Sequence, residues 1–131
     1  MEEIIVNLHM HTRYSDGGGN HQDIAATALK CGLDAVIVTD HNVLVKDFEG
    51  YVASGRKKVL MLIGEEIHDQ ARNPQKNHLL AFGINQELAT YANDPQTLIN
   101  AVKFRVDDGF EFAETVPQFN AAVIFDTPIL P

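Results

Sequence analysis

Asn7-Leu8-His9-Met10-His11-Thr12 follows the apolar run Ile4-Ile5-Val6, and its reading decides the fold. In a strand successive side chains alternate faces, so His9 and His11 project from the same side and two imidazole nitrogens reach one metal ion. On a helix the same two rings diverge by about 200° and share nothing. A turn-forming stretch, Ser15-Asp16-Gly17-Gly18-Gly19, brings a carboxylate shortly afterwards. A lone His-x-His pair is common on solvated strand edges. The metal reading therefore depends on whether histidines and carboxylates recur where later apolar runs end.

They do recur. Working outward, Glu3 to Leu8 reads as a first strand, continuous and β-branched like a buried parallel one. Asn20 caps a helix with the apolar face Ile24, Ala25, Ala28, Leu29 and Cys31, and Gly32 ends it. Ala35-Val36-Ile37-Val38-Thr39 is a second buried strand, completing a right-handed βαβ unit. Asp40 and His41 stand at its end. The polar stretch from Lys46 to Lys58 predicts a short helix broken at Gly55. Val59 to Ile63 is a third strand, running into Gly64-Glu65-Glu66. The loop with Arg72, Asn73, Pro74 and Lys76 is too short for a crossover helix, so His78-Leu79-Leu80-Ala81-Phe82 should return antiparallel and bring His78 beside Glu66. Asp94-Pro95 opens a second helix through Leu98, Ile99 and Val102, extending to Val106. Beyond it the pattern weakens to a short strand over Ala121 to Phe125 and a turn at Asp126-Thr127-Pro128.

The 131 residues suit one domain, 1–131, and a hydrophobic fraction of 45% allows a real core. A formal net charge of −8 and a pI near 5.0 argue against a long duplex nucleic acid or a membrane surface as partner. They leave room for a phosphorylated substrate, because bound cations reverse the local field. Cys31, the single cysteine, permits no internal disulfide and reads as a small core residue. The start Met1-Glu2-Glu3-Ile4 lacks a basic secretory signal, and no apolar run approaches the ~20 residues that span a bilayer. The expectation is a soluble cytoplasmic protein.

His9, His11, His41 and Glu66 thus fall at or just past the carboxyl ends of strands, the edge where α/β sheets collect their sites. Asp16 lies in the loop above that edge, and the returning strand delivers His78 to it. Four imidazoles and two carboxylates form a mixed nitrogen and oxygen set, suited to zinc, manganese or iron rather than copper(I). Six donors exceed the need of one tetrahedral ion, so at least two metals are expected, ~4 Å apart across a bridging carboxylate.

His9-Met10-His11-Thr12 with Tyr14-Ser15-Asp16-Gly17, then Thr39-Asp40-His41-Asn42, then Gly64-Glu65-Glu66, then His78-Leu79-Leu80 resemble the successive motifs of the polymerase and histidinol phosphatase (PHP) family. The resemblance runs to about Val102 and leaves 103–131 as a divergent tail. It implies an α/β fold, the N-terminal part of a distorted β/α barrel, with a β-hairpin carrying Glu66 and His78. It also implies hydrolysis of phosphate esters with two to three divalent ions, Mn²⁺, Zn²⁺ or Fe. By resemblance, His9 and His11 hold the first metal, Glu66 bridges first and second, His78 binds the second, and Asp16 with His41 binds the third. Asp40 would orient an imidazole. Arg13 and Arg72 would anchor the phosphate of a small substrate, such as a nucleotide, a nucleoside bisphosphate or an oligonucleotide end. His21 is expected at the surface or capping the first helix, and His68 outside the site. The family's later Ala-His-Pro motif and C-terminal Asp-x-His pair have no counterpart in this sequence, although Asp126 holds a loosely similar place. The barrel is therefore expected to be incomplete. Three readings follow: a truncated phosphoesterase that binds metal but turns over weakly or not at all unless a partner chain completes the site, a compact active enzyme completed by a homo-oligomer or by replacement ligands such as Asp126, or a metal-binding remnant that has lost catalysis.

Overall fold

The computed structural model describes residues 3–74, 78–104 and 123–126. Strand β1 (Val6–Asn7) leads through the His9–Gly19 segment to helix α1 (His21–Cys31) and strand β2 (Ala35–His41). A 3₁₀ turn (Lys46–Phe48) precedes β3 (Gly50–Ser54) and the long β4 (Lys57–Ile67). Strand β5 (His78–Ala81), a second 3₁₀ turn (Ala89–Tyr91), α2 (Pro95–Phe104) and β6 (Val123–Asp126) complete the order.

The six strands form one mixed sheet in the order β1-β2-β4-β5-β6, with β3 also paired to β4. β1, β2 and β4 are parallel, as the βαβ reading requires. β2 covers Leu60–Glu66 along one edge of β4, so the other edge carries two antiparallel partners end to end. Of these, β3 pairs with Lys57–Met61 and β5 with Glu65–Ile67. β6 extends the sheet beside β5, with Asp126 in register with His78. No pairing joins β1 to β6 among the described residues, so the sheet is open here and a closed barrel is not shown.

Alternation along β4 sorts its two faces. Met61 and Ile63 pack with Val36 and Val38 of β2 against Ala25 and Ala28 of α1. Ile67 packs with Leu79 and Ala81 of β5 against Leu98 and Val102 of α2. One face is thus covered by helices. The alternate positions, His41 on β2, Glu66 on β4 and His78 on β5, belong to the opposite face.

The helix ends follow local chemistry. Asn20 Oδ1 accepts from Asp23 N at 2.8 Å, and Asp23 Oδ2 accepts from Asn20 N at 2.9 Å, a reciprocal capping box. Gly32 terminates α1 in the left-handed region at φ 74°. Asp94 caps α2 by accepting from Thr97 N at 3.2 Å, and from the Thr97 hydroxyl.

Several expectations need correction. The first strand is two residues long rather than spanning Glu3 to Leu8, and it is exposed, with Val6 41% accessible. Its outer edge has no partner among the described residues, so the apolar run covers little. The segment from Lys46 to Lys58 is a 3₁₀ turn and a β-hairpin rather than a helix. Gly55, at φ 62°, supplies the turn between β3 and β4, and Tyr51 and Val52 fit an exposed strand better than a helix. Cys31 is exposed, not in the core. α2 ends at Phe104, and Val106 lies outside the described residues, as does the turn from Thr127 onward.

Candidate metal centre

β1 ends two residues before His9, so both histidines of the opening motif sit in the loop that leaves the sheet edge. His9 Nε2 lies 2.7 Å from Glu66 Oε2, and His11 Nε2 lies 2.9 Å from His9 Nε2 and 3.0 Å from the same Glu66 oxygen. His78 Nδ1 is 2.6 Å from Glu66 Oε1, the meeting predicted from antiparallel pairing. His41, in register with Glu66 across β2 and β4, places Nε2 3.3 Å from Asp16 Oδ2. The donors fall into three groups: His9, His11 and Glu66; His11, Asp16 and His41; and His41, Glu66 and His78. All six residues expected to bind metal are thus brought together.

The donor chemistry fits cations better than protons. Two ring nitrogens and a carboxylate oxygen converge in the first group, and one proton between them cannot satisfy all three. Atoms each about 2.0–2.2 Å from one small divalent ion lie this close together. His11 Nδ1 is buried 2.8 Å from Asp16 Oδ1, and His41 Nδ1 3.6 Å from Glu66 Oε2, neither with the alignment of a hydrogen bond. A neutral imidazole offers a single lone pair. His11 and His41, each present in two groups, therefore serve one ion apiece. With His11 assigned to the first group, Glu66 and His78 remain for a second and Asp16 and His41 for a third.

Electrostatics supports the assignment. Burial pushes the Glu66 carboxyl up, but hydrogen bonds from His9 and His78 and the charge of His41 more than reverse this, leaving it below the ordinary value. For Asp16 the upward push of burial is likewise outweighed by His41 and His11 together, leaving it below the ordinary value. Glu66 is therefore an anion where an anion is needed.

Asp40 behaves differently from expectation. Its carboxylate accepts from Thr12 N, the Thr12 hydroxyl and the Ser15 hydroxyl, each at 2.7 Å, rather than from an imidazole. It fixes the loop that carries His11 and Asp16. Gly17 serves the same loop by fit, since a Cβ there would stand 2.2 Å from the His11 carbonyl oxygen. Arg13 is exposed, and its Nε donates to the Gly18 carbonyl at 3.0 Å, so it braces the loop. Arg72 is exposed and its side chain enters no hydrogen bond or ion pair with the three groups among the described residues. Lys76 lies outside them.

Two histidines set aside in the sequence reading are buried. His21, 1% accessible, stacks on Phe48 at 4.0 Å with Tyr14 edge-on at 5.6 Å. Burial lowers its pKa, against a smaller upward pull from Asp40. Its partner Phe48 is distant in sequence, which is why the surface reading failed. His68, 6% accessible, stacks on His78 at 4.7 Å and meets His41 edge-on at 5.0 Å. Burial first, then the charges of His78 and His41, lower its pKa. Its position two residues after Glu66 was the available signal, because it shares that face on a continuing strand. Asn42, which holds His68, was also missed.

A family model described as PHP domain matches residues 7–125, past Val102 where the motif resemblance ends. No curated protein matches the sequence.

Proposed function

The chain belongs to the PHP domain family, in general a family of metal-dependent phosphoesterases, and from that premise we propose that it hydrolyses small phosphate esters with water. The observation that carries this reading is the division of one carboxylate: Glu66 Oε2 faces His9 and His11 while Oε1 faces His78. A carboxylate so placed, with His9 and His11 on one oxygen and His78 on the other, would help to hold divalent ions. Ions bound there would acidify a water for in-line attack on phosphorus and neutralise the phosphoryl oxygens.

The chain's own groups do the rest. His9, His11 and Glu66 form the most complete donor set and fix where the reacting phosphoryl group sits. Asp16, exposed on its loop, and His41 would hold a third ion. The nitrogen and oxygen donors favour Mn²⁺, Zn²⁺ or Fe. Arg13 and Arg72 lie on the loops around the site and are the proposed anchors for a substrate phosphate. The ester is a nucleotide, a nucleoside bisphosphate or an oligonucleotide end, since an acidic chain disfavours long duplexes. No described helix is long and apolar enough to cross a membrane.

A second reading has its own support. After each imidazole is assigned once, the second and third positions hold two donors each. A catalytic ion usually keeps three protein ligands. The missing donors would come from a partner chain or a second copy, or the protein binds metal without turnover. Phosphate release from a panel of phosphomonoesters and nucleoside bisphosphates, with Mn²⁺ or Zn²⁺, separates the readings. Metal-dependent turnover lost in Glu66→Gln supports the enzyme. Metal uptake without turnover on any substrate would leave the binding module.

A further inference from the structure

Asn42 is the only described non-glycine residue with positive φ, at 53°. Left-handed backbone at a non-glycine residue is uncommon, and asparagine tolerates it best. The turn is held on three sides. Asn42 N donates to the Glu66 carbonyl at 3.0 Å. Its side-chain Oδ1 accepts from His68 N at 3.0 Å. Its Nδ2 faces His68 Nε2 at 3.4 Å. The backbone N–H of His68 can only donate, so the amide orientation is fixed and Nδ2 is the donor toward the ring. The amide thus presents its N–H to His68 Nε2.

The ring so fixed touches two of the six donor residues. It lies nearly parallel to His78, 20° between planes with centroids 4.7 Å apart. It stands at 79° to His41 with centroids 5.0 Å apart. His41 and His78 also meet edge-on at 5.9 Å. His68 itself joins none of the three donor groups. It lies outside those groups and packs against rings that belong to them.

We propose that His68, clasped by Asn42, is a positioning residue that holds His41 and His78 at the angles needed to bind the second and third ions. The inference rests on the metal reading above. An imidazole must aim its lone pair along the bond to the ion, and an unsupported ring rotates about its side-chain torsions. Packing that fixes the ring removes that freedom before binding. Partners outside the ligand shell typically change metal affinity about 10- to 100-fold.

Co²⁺ titration of the full chain, read by visible absorption and by isothermal calorimetry, tests this. His68→Ala should weaken the ions held by His41 and His78 by about 10- to 100-fold and alter the Co²⁺ spectrum, while the site of His9 and His11 keeps its affinity. His68→Phe keeps a flat ring and should recover most of the loss. Asn42→Gly keeps the left-handed turn, releases the clasp and should fall between. Circular dichroism and the melting temperature of the metal-free variants separate misfolding from lost positioning. Should His68→Ala destabilise the fold, Asn42→Gly against wild type carries the decision. Folded variants with wild-type affinities and spectra would overturn the inference alone. A wild-type chain that takes up no Co²⁺ would overturn the metal reading, and this inference with it.

Discussion

Glu65 and Glu66 are neighbours on one strand, both almost fully buried, and the structure gives them opposite chemistry. Glu65 points to the helix-covered face, where Leu88 N donates to Oε2 at 3.2 Å and Oε1 has no hydrogen-bond partner among the described residues. Burial, with a smaller push from Glu87, raises its pKa to about 8. Glu66 points to the open face among imidazoles and is held below its ordinary value. The neighbouring strand repeats the division in register. Asp40, beside Glu65, serves the loop, and His41, beside Glu66, joins the donors. A sheet two residues deep at its carboxyl edge thus separates structural acids from candidate metal ligands by the period of the strand alone.

The sharpest way to break this comparison is Glu65→Gln. A folded pKa of about 8 against an ordinary 4.5 means the folded state keeps a proton that the unfolded chain loses. Stability should therefore fall as pH rises from about 4.5 to about 8 and then level off. At about 1.4 kcal/mol per pH unit the contribution is of the order of 5 kcal/mol. Urea unfolding at pH 5 and pH 8 should show the variant gaining on wild type by several kcal/mol at the higher pH. Equal slopes would mean that Glu65 is ionised and the contrast with Glu66 is false.

Asp40→Ala tests the other helix-side acid. It leaves the buried Thr12 amide and hydroxyl unpaired and should cost about 3 kcal/mol in chemical denaturation. The same loop carries His11 and Asp16, so metal affinity should also fall about tenfold. Unchanged metal binding would make the two faces independent.

Gly64→Ala acts on the open face. Its Cβ would stand 2.6 Å from the Ala81 carbonyl oxygen and 3.0 Å from the Phe82 ring, pressing β5 away from β4 beside the Glu66–His78 pair. A loss of about 1–3 kcal/mol in thermal or urea unfolding is expected. Asn20→Ala, at the N-terminus of α1, is the control. It removes the cap, about 1 kcal/mol by denaturation, with no change in metal affinity.

The sequence was legible wherever the evidence was local. Alternation and apolar runs located β2, β4 and β5, and capping chemistry located both helices. The six donors followed from where those runs end, and the antiparallel return from the loop length after Glu66. What was not legible depended on contacts distant in sequence. β3 was missed because Gly55 looked like a helix break, while Tyr51 and Val52 are exposed on a strand whose pairing with β4 decides its conformation. The run Ile4-Ile5-Val6 promised a buried strand, but burial depends on what lies beyond β1. Asp40 was assigned to orienting an imidazole, and Thr12 and Ser15 take its carboxylate instead. His21 and His68 are buried by Phe48, His78 and His41, none of which the local pattern could place beside them.

The account's central claim is that the open face, through Glu66, is where metal binds. Equilibrium dialysis of the full chain against Mn²⁺, with wild type, Glu65→Gln and Glu66→Gln in parallel, tests it most directly. The account predicts that wild type and Glu65→Gln retain bound Mn²⁺ and that Glu66→Gln loses more than about 100-fold in affinity, beyond the range for partners outside the ligand shell. Equal binding by Glu66→Gln, or no binding by any of the three, would contradict it.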